Sequence, residues 1–194
     1  MKQALEANKL LHVKTRKQWR DWLRTNNKNK SEIWLVYYKK QSNKTRILYN
    51  DAVEEALCFG WIDSTVMTID ENRYAQRFSP RKINSPYSQA NIERMNGLIK
   101  RGKVMKAVID SFHRSAPKKF SIPVDIISAI KRNKEAFKYY QKFPKSYIRI
   151  RIAFIEGARN RTAEFNKRLN YFIKMTSKDK QFGFGGIEKY YKKK

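Results

Sequence analysis

Apolar residues recur along this chain in two rhythms, and the change from one to the other divides it. In the first part, short helical stripes alternate with apolar runs too dense for an exposed helix. Thr15-Arg-Lys-Gln18 has the spacing of a capping box, after which Trp19, Trp22 and Leu23 fall on one helical face. Asn26–Lys30 is a polar break. Ile33-Trp-Leu-Val-Tyr-Tyr38 is continuously β-branched and aromatic, the pattern of a buried strand, and Lys39–Lys44 is a polar loop. Asp51-Ala-Val-Glu54 repeats the capping pattern; Ala52, Val53, Ala56 and Leu57 continue at helical spacing, and Gly60 stops the helix. Trp61–Ile69 and Arg73–Ser79 then read as a hairpin around Asp70-Glu-Asn72. Strand alternation places Tyr74, Gln76 and Phe78 on one face and Arg73, Ala75, Arg77 and Ser79 on the other. Pro80, with no N–H to donate, is expected to end the pairing.

From Ser88 onward the rhythm is helical throughout. Ile92, Met95 and Ile99 share one face, and Val104, Val108 and Phe112 the next. Ala116–Ser121 is a basic linker, beyond which Pro123 opens a helix bearing Ile126, Ile127 and Ile130. Phe137 and Tyr140 belong to a short helix that stops before Pro144, and Ser146 is expected to cap a helix with Ile148, Ile152 and Ile155. Phe165, Leu169, Phe172 and Ile173 complete a last helical stripe. The pattern predicts an α+β fold, with a small antiparallel sheet and helices at the N-terminus followed by an all-helical C-terminal module. The expected boundaries are 1–115, 116–175 and a basic, mobile tail over 176–194.

Composition narrows the class. A hydrophobic share of 41% with 13% aromatics marks a folding sequence. No run approaches the roughly 18 apolar residues of a membrane span, and the first ten residues lack the apolar core of a secretory signal, so a cytoplasmic protein is expected. One cysteine allows no internal disulfide, and His12 and His113 form no metal-ligand cluster, so no cofactor or metal is expected.

The net charge of +27 suggests a polyanionic partner, but its distribution qualifies that. Residues 1–50 hold 13 Lys+Arg against 3 Asp+Glu, residues 51–100 hold 6 against 7, and residues 101–194 hold 25 against 7. The basicity lies in the flanks, where scattered lysines supply only sequence-independent attraction to nucleic acid. Nucleic-acid association through those flanks, with Trp and Tyr as stacking residues, is therefore the second reading rather than the first.

Candidate chemistry concentrates in the charge-balanced middle. Asp63 opens one hairpin strand and Arg77 lies on the other, so the two can bridge; alternatively Arg77 and Arg81, flanking Ser79 and Pro80, can clamp a carboxylate or phosphate. Lys39 adds positive charge if its strand adjoins the hairpin, and is otherwise a solvated strand end. Trp61 can stack on a ligand or pack in the core. Ser88 is a candidate N-cap, with Asn91 and Arg94 at helical spacing behind it, which makes either an anion site or ordinary capping. Cys58 sits in the last turn of a helix, where the dipole disfavours a thiolate, so a small buried hydrophobe is expected. Glu54 and Glu55 have no nucleophile or third group with which to build a catalytic set. The residues favour a non-enzymatic protein binding a small anionic ligand or acidic partner.

The pattern Tyr49…Ala52-Val-Glu-Glu-Ala-Leu-Cys-Phe-Gly-Trp-Ile-Asp63, then Arg77-Phe-Ser-Pro-Arg81, Ser85, Ser88, Asn91 and Arg94, resembles the YdeI/OmpD-associated family of bacteriocin-protection proteins. The likeness runs from about Trp19 to Met105. Residues Ile122–Met175 look like that family's helical C-terminal region, with Tyr147-Ile-Arg and Ala158-Arg-Asn-Arg-Thr162 standing where the family carries an Ala-Lys-x-x-x-Thr-Arg signature. Tyr87 replaces a common Trp, and Ala163 replaces the Arg that follows the threonine. The resemblance implies a bacterial protein linked to bacteriocin tolerance or envelope stress, with no catalytic activity to transfer.

Overall fold

In a computed structural model of the chain, which describes residues 6–83, 85–115 and 119–183, Thr15 caps helix α1 (Arg16–Asn26) as its spacing predicts. The Gln18 amide donates to Thr15 Oγ1 at 3.2 Å, and Gln18 Oε1 accepts from the Thr15 amide at 3.2 Å. Two orphan N–H groups are thereby satisfied at once. Trp19 and Leu23 are buried, and the Trp19 indole N–H donates to the Ala52 carbonyl at 3.0 Å. That bond ties α1 to α2 (Tyr49–Cys58).

Four strands form one sheet: β1 (Leu10–Leu11), β2 (Ile33–Tyr38), β3 (Trp61–Thr68) and β4 (Arg73–Pro80), in the order β1-β2-β4-β3. β2 lies between two neighbours, parallel to β1 and antiparallel to β4, and Ile33 through Tyr37 are all buried. A strand covered on both faces loses the alternating pattern, which is why this one reads as a continuous apolar run. β1 has two residues, too few for any period to show, and the sequence reading misses it.

Three local expectations are corrected. Pro80 does not end the pairing but lies in β4 opposite Trp61, and the next amide, that of Arg81, donates to the Gly60 carbonyl at 2.9 Å. The missing N–H of Pro80 falls on the β2 side of β4, where pairing has already stopped at Ile33 and Phe78. Asp51 does not cap α2, which begins two residues earlier with Leu48 at the N-cap and no side-chain cap. Asp51 lies instead in the first turn, at the positive end of the helix dipole, and pairs with Arg16 at 2.8 Å. Ser146 lies inside a helix whose N-cap is Pro144. Gly60 does end α2, at φ +74, a left-handed conformation natural to glycine.

The remaining helices are α3 (Gln89–Lys100), α4 (Lys106–Ser115), α5 (Val124–Arg132), α6 (Lys134–Tyr140), α7 (Lys145–Glu156) and α8 (Thr162–Thr176). The strands come first and the helices follow, an α+β fold. The described residues fall into two compact units, Met1–Pro86 with Met95–Ser115 and Tyr87–Arg94 with Ala116–Lys194. The second has its own core, in which Ile126, Ile130, Tyr147, Ile152, Ile155 and Phe172 are each at most 1% exposed. Asn133 caps α6, accepting the Ala136 amide at 2.9 Å. After α8 the chain is held as far as Gly183: the Phe182 amide donates to the Tyr147 hydroxyl at 3.1 Å, and its ring meets Tyr171 edge-on. Residues 116–118 of the linker and 184–194 of the tail lie outside the described residues. Among the described residues no helix is long and apolar enough to cross a membrane.

Candidate functional site

Register decides what the hairpin residues can do. Asp63 stands opposite Phe78, on the face shared with Gln76, whereas Arg77 stands opposite Trp34 of β2 and projects from the other face. The cross-strand Asp63–Arg77 bridge is therefore not formed. Arg77 grips Glu32, with Nε at 2.7 Å and an Nη at 2.5 Å from Oε2. Asp63 Oδ2 accepts from the Tyr49 hydroxyl at 2.6 Å and from Gln76 Nε2 at 3.4 Å. Gln76 is buried and also donates to the Ser64 carbonyl at 3.1 Å, across the register irregularity between Asp63 and Val66.

The other sequence-predicted residues are also placed apart. Arg81 donates to the Ser85 and Pro86 carbonyls at 2.8 and 3.1 Å, strapping the chain after β4. Ser79 shares Arg77's face and is half-buried. Trp61 is 1% exposed and its indole N–H donates to the Asn27 carbonyl at 3.1 Å, so it is a packing residue with no ring face open to a ligand. Lys39 sits at the hairpin turn, with its amide bonded to the Asn72 carbonyl at 2.8 Å and Nζ near the Asp70 carbonyl at 3.3 Å. Ser88 caps α3 by accepting the Asn91 amide at 3.3 Å, and the buried Arg94 donates to Asn91 Oδ1 at 2.8 Å. Those three belong to the second unit, and Asp63, Arg77 and Arg81 to the first.

A constellation the sequence reading missed runs along α1. Arg16, Arg20 and Arg24 recur every fourth residue and so line one face of α1, and Lys28 continues the spacing in the turn that follows it. Toward the N-terminus that ladder meets acid. Arg16 pairs with Asp51 at 2.8 Å, with Glu54 at 3.0 Å and with Glu55; Arg20 pairs with Glu55 at 2.5 Å. Glu54 and Glu55 are buried. Burial works against the charge on Arg16, but the two glutamates outweigh it and hold the guanidinium above its ordinary value. Cys58 is buried beside this network; burial first, and Glu55 second, push its thiol up to about 11. Burial thus favours the thiol over the thiolate that a nucleophile requires.

Toward its other end the same ladder opens on a cleft of about 580 Å³, lined by Arg20, Arg24, Thr25, Asn27, Lys28, Asn29, Phe59 and Gly102–Met105. Arg20 spans the two regions. One Nη is bonded to Glu55, the other donates to the Lys103 carbonyl at 3.0 Å, and the guanidinium lies 5.2 Å from the Phe59 ring centroid. Among the described residues Arg24 has only the half-buried Asp21 as an ion-pair partner, at 3.0 Å on its own helix. Four cations thus face a space with no carboxylate among the described residues of its lining, beside Phe59 and Val104, both at most 9% exposed. The fourfold spacing was readable in the sequence. Lys103, brought from the far side of α3, was not. Among the described residues no group of three or more His, Cys, Asp or Glu is placed to hold a metal ion.

Two family models match the chain. Residues 11–111 match a domain of unknown function (DUF8412), and residues 119–179 match the family described as bacteriocin-protection, YdeI or OmpD-associated. The likeness to the bacteriocin-protection proteins thus rests on the helical residues 119–179, and the Trp61–Arg81 motif falls within the domain of unknown function. No curated protein and no solved structure matches the chain.

Proposed function

The chain belongs to the domain family of unknown function DUF8412, and we propose that its first unit is a non-enzymatic binding module whose α1 cleft takes a small anionic ligand. The observation that carries this is the asymmetry of the α1 ladder. Its first two arginines are neutralised by buried carboxylates, while Arg24, Lys28 and Lys103 face the cleft with no acid among the described residues of its lining. Arg20 supplies rigidity, because fixing a cation beforehand lowers the ordering cost of binding. The cleft lies within the roughly 300–1,000 Å³ range of small-molecule sites. A neighbouring thiol whose ionisation burial disfavours, without a paired base, supports binding over catalysis.

The test is a titration with inorganic pyrophosphate followed by tryptophan fluorescence, since Trp61 is bonded to Asn27 in the cleft wall. Saturable binding is expected, weakened about tenfold or more in the Lys28→Ala/Lys103→Ala double variant, or ~1.4 kcal/mol. Arg77→Ala, which breaks only the Glu32 pair, should leave it unchanged. Equal binding by wild type and double variant would remove the cleft from consideration. An oligonucleotide whose affinity falls steeply with salt, yet ignores the double variant, would assign polyanion binding to the dispersed lysines instead.

A further inference from the structure

Asp63 is the odd carboxylate of this protein. Among the described acids, Glu71, Asp110 and Asp179 also have no Lys, Arg or His within 4.0 Å, but those three are exposed, whereas Asp63 is half-buried. In a chain with 44 Lys+Arg against 17 Asp+Glu, a partly desolvated carboxylate left without a cation is a position kept open. Its two hydrogen-bond donors, the Tyr49 hydroxyl and Gln76 Nε2, are neutral and both reach Oδ2. Arg46, which follows β2 in the chain, donates an Nη to the Tyr38 carbonyl at 2.5 Å.

The surroundings point to a polypeptide. β3 is the last strand of the sheet, so its outer main-chain groups have no strand partner among the described residues. Such an edge is a template for another strand, and proteins usually blunt it with lysine or proline. β3, Trp-Ile-Asp-Ser-Thr-Val-Met-Thr, contains neither. Large apolar side chains are exposed along β3 and at the start of α2: Val66 is 58% exposed, Leu48 63% and Tyr49, which bonds the carboxylate, 43%. On β2 the Tyr37 hydroxyl is buried and has no hydrogen-bond partner among the described residues.

We propose that the β3 edge with Asp63 is a docking site for an extended segment of a partner protein, which pairs with β3 and presents a lysine or arginine to Asp63 between apolar residues. Main-chain pairing gives affinity and the carboxylate gives selectivity, the division of labour in strand addition. The register irregularity after Asp63 re-aims its side chain where regular pairing with β4 lapses. This site is separate from the α1 cleft and of opposite charge.

The test uses a blocked hexapeptide of alternating valine and threonine with one central lysine, beside its norleucine counterpart. Binding is measured by calorimetry and located by amide shifts in two-dimensional NMR. The lysine peptide is expected to bind at least tenfold tighter than the norleucine peptide and to shift the amides of residues 62–68. Asp63→Asn, which keeps an acceptor for Tyr49, should abolish the difference. The proposal is overturned if neither peptide shifts β3, or if Asp63→Asn leaves the preference for lysine intact. A third result also sinks it: the wild type binds neither peptide while Asp63→Asn self-associates, showing that the half-buried charge and the register irregularity only protect the edge.

Discussion

Glu54 and Glu55 are adjacent carboxylates on a helix whose neighbours Ala52, Val53, Ala56, Leu57 and Cys58 are all buried, and both glutamates are themselves at most 1% exposed. They are kept inside by guanidinium groups from α1: Arg16 touches both, and Arg20 holds the second. Removing one partner of such a pair leaves an uncompensated buried charge, which is costlier than the pair is worth. Arg16→Met should therefore destabilise the protein by about 3 kcal/mol, the low end of the usual range because Arg16 is 29% exposed. Urea denaturation followed by circular dichroism measures this. A loss under about 1 kcal/mol would class the network with ordinary surface pairs. The sequence shows these four residues but not their roles: Glu54 has the spacing of a capping partner, and only the early start of α2 at Tyr49 takes it away from that duty.

Helices and strands themselves were largely legible, because period 3.6 and period 2 are written in the chain wherever an element has one buried face. α1, β2, the β3–β4 hairpin and α8 appear within a few residues of their expected places. What escaped were elements too short to repeat, such as β1, and the lateral order of strands, which depends on contacts between distant residues. The stop after α2 is the best-determined junction. Gly60 is at φ +74, and a Cβ there would lie 3.3 Å from a Val108 methyl. Gly60→Ala meets both strain and crowding, and should cost about 2 kcal/mol. Gly102 is at φ +65, and a Cβ there would have nothing within 4 Å. Gly102→Ala meets the backbone strain alone and should cost about 1 kcal/mol. Thermal unfolding of the two variants side by side checks the ordering; a Gly60→Ala protein no less stable than Gly102→Ala would contradict it.

At the scale of the whole molecule the excess of positive charge governs the response to solvent. Asp21, Asp70, Asp125 and Glu164 are held below the ordinary carboxylate range by hydrogen bonds from Lys17, Arg73, Arg159 and Arg168 respectively. A depressed pKa contributes stability that is present above the unfolded value of about 4 and is lost as pH falls through the folded value. Protonating the 17 Asp+Glu also removes what offsets the 44 Lys+Arg, so self-repulsion grows in the same direction. The melting temperature should fall steadily below about pH 5, and added salt should restore part of the loss by screening; calorimetry across pH and ionic strength tests both. A melting temperature unmoved by acid would mean that these pairs contribute nothing. The sequence by itself determined the α+β class, the main periodic elements, the near-neutral middle between basic flanks and the glycine stop at its centre, because each is a property of residues near one another in the chain. Tertiary structure alone decided that Arg77 answers to Glu32 and leaves Asp63 without an ion pair among the described residues, and that Lys103 joins Arg24 and Lys28 in the lining of one cleft. Strand register and the meeting of residues some eighty positions apart are set by packing, and no local pattern encodes them.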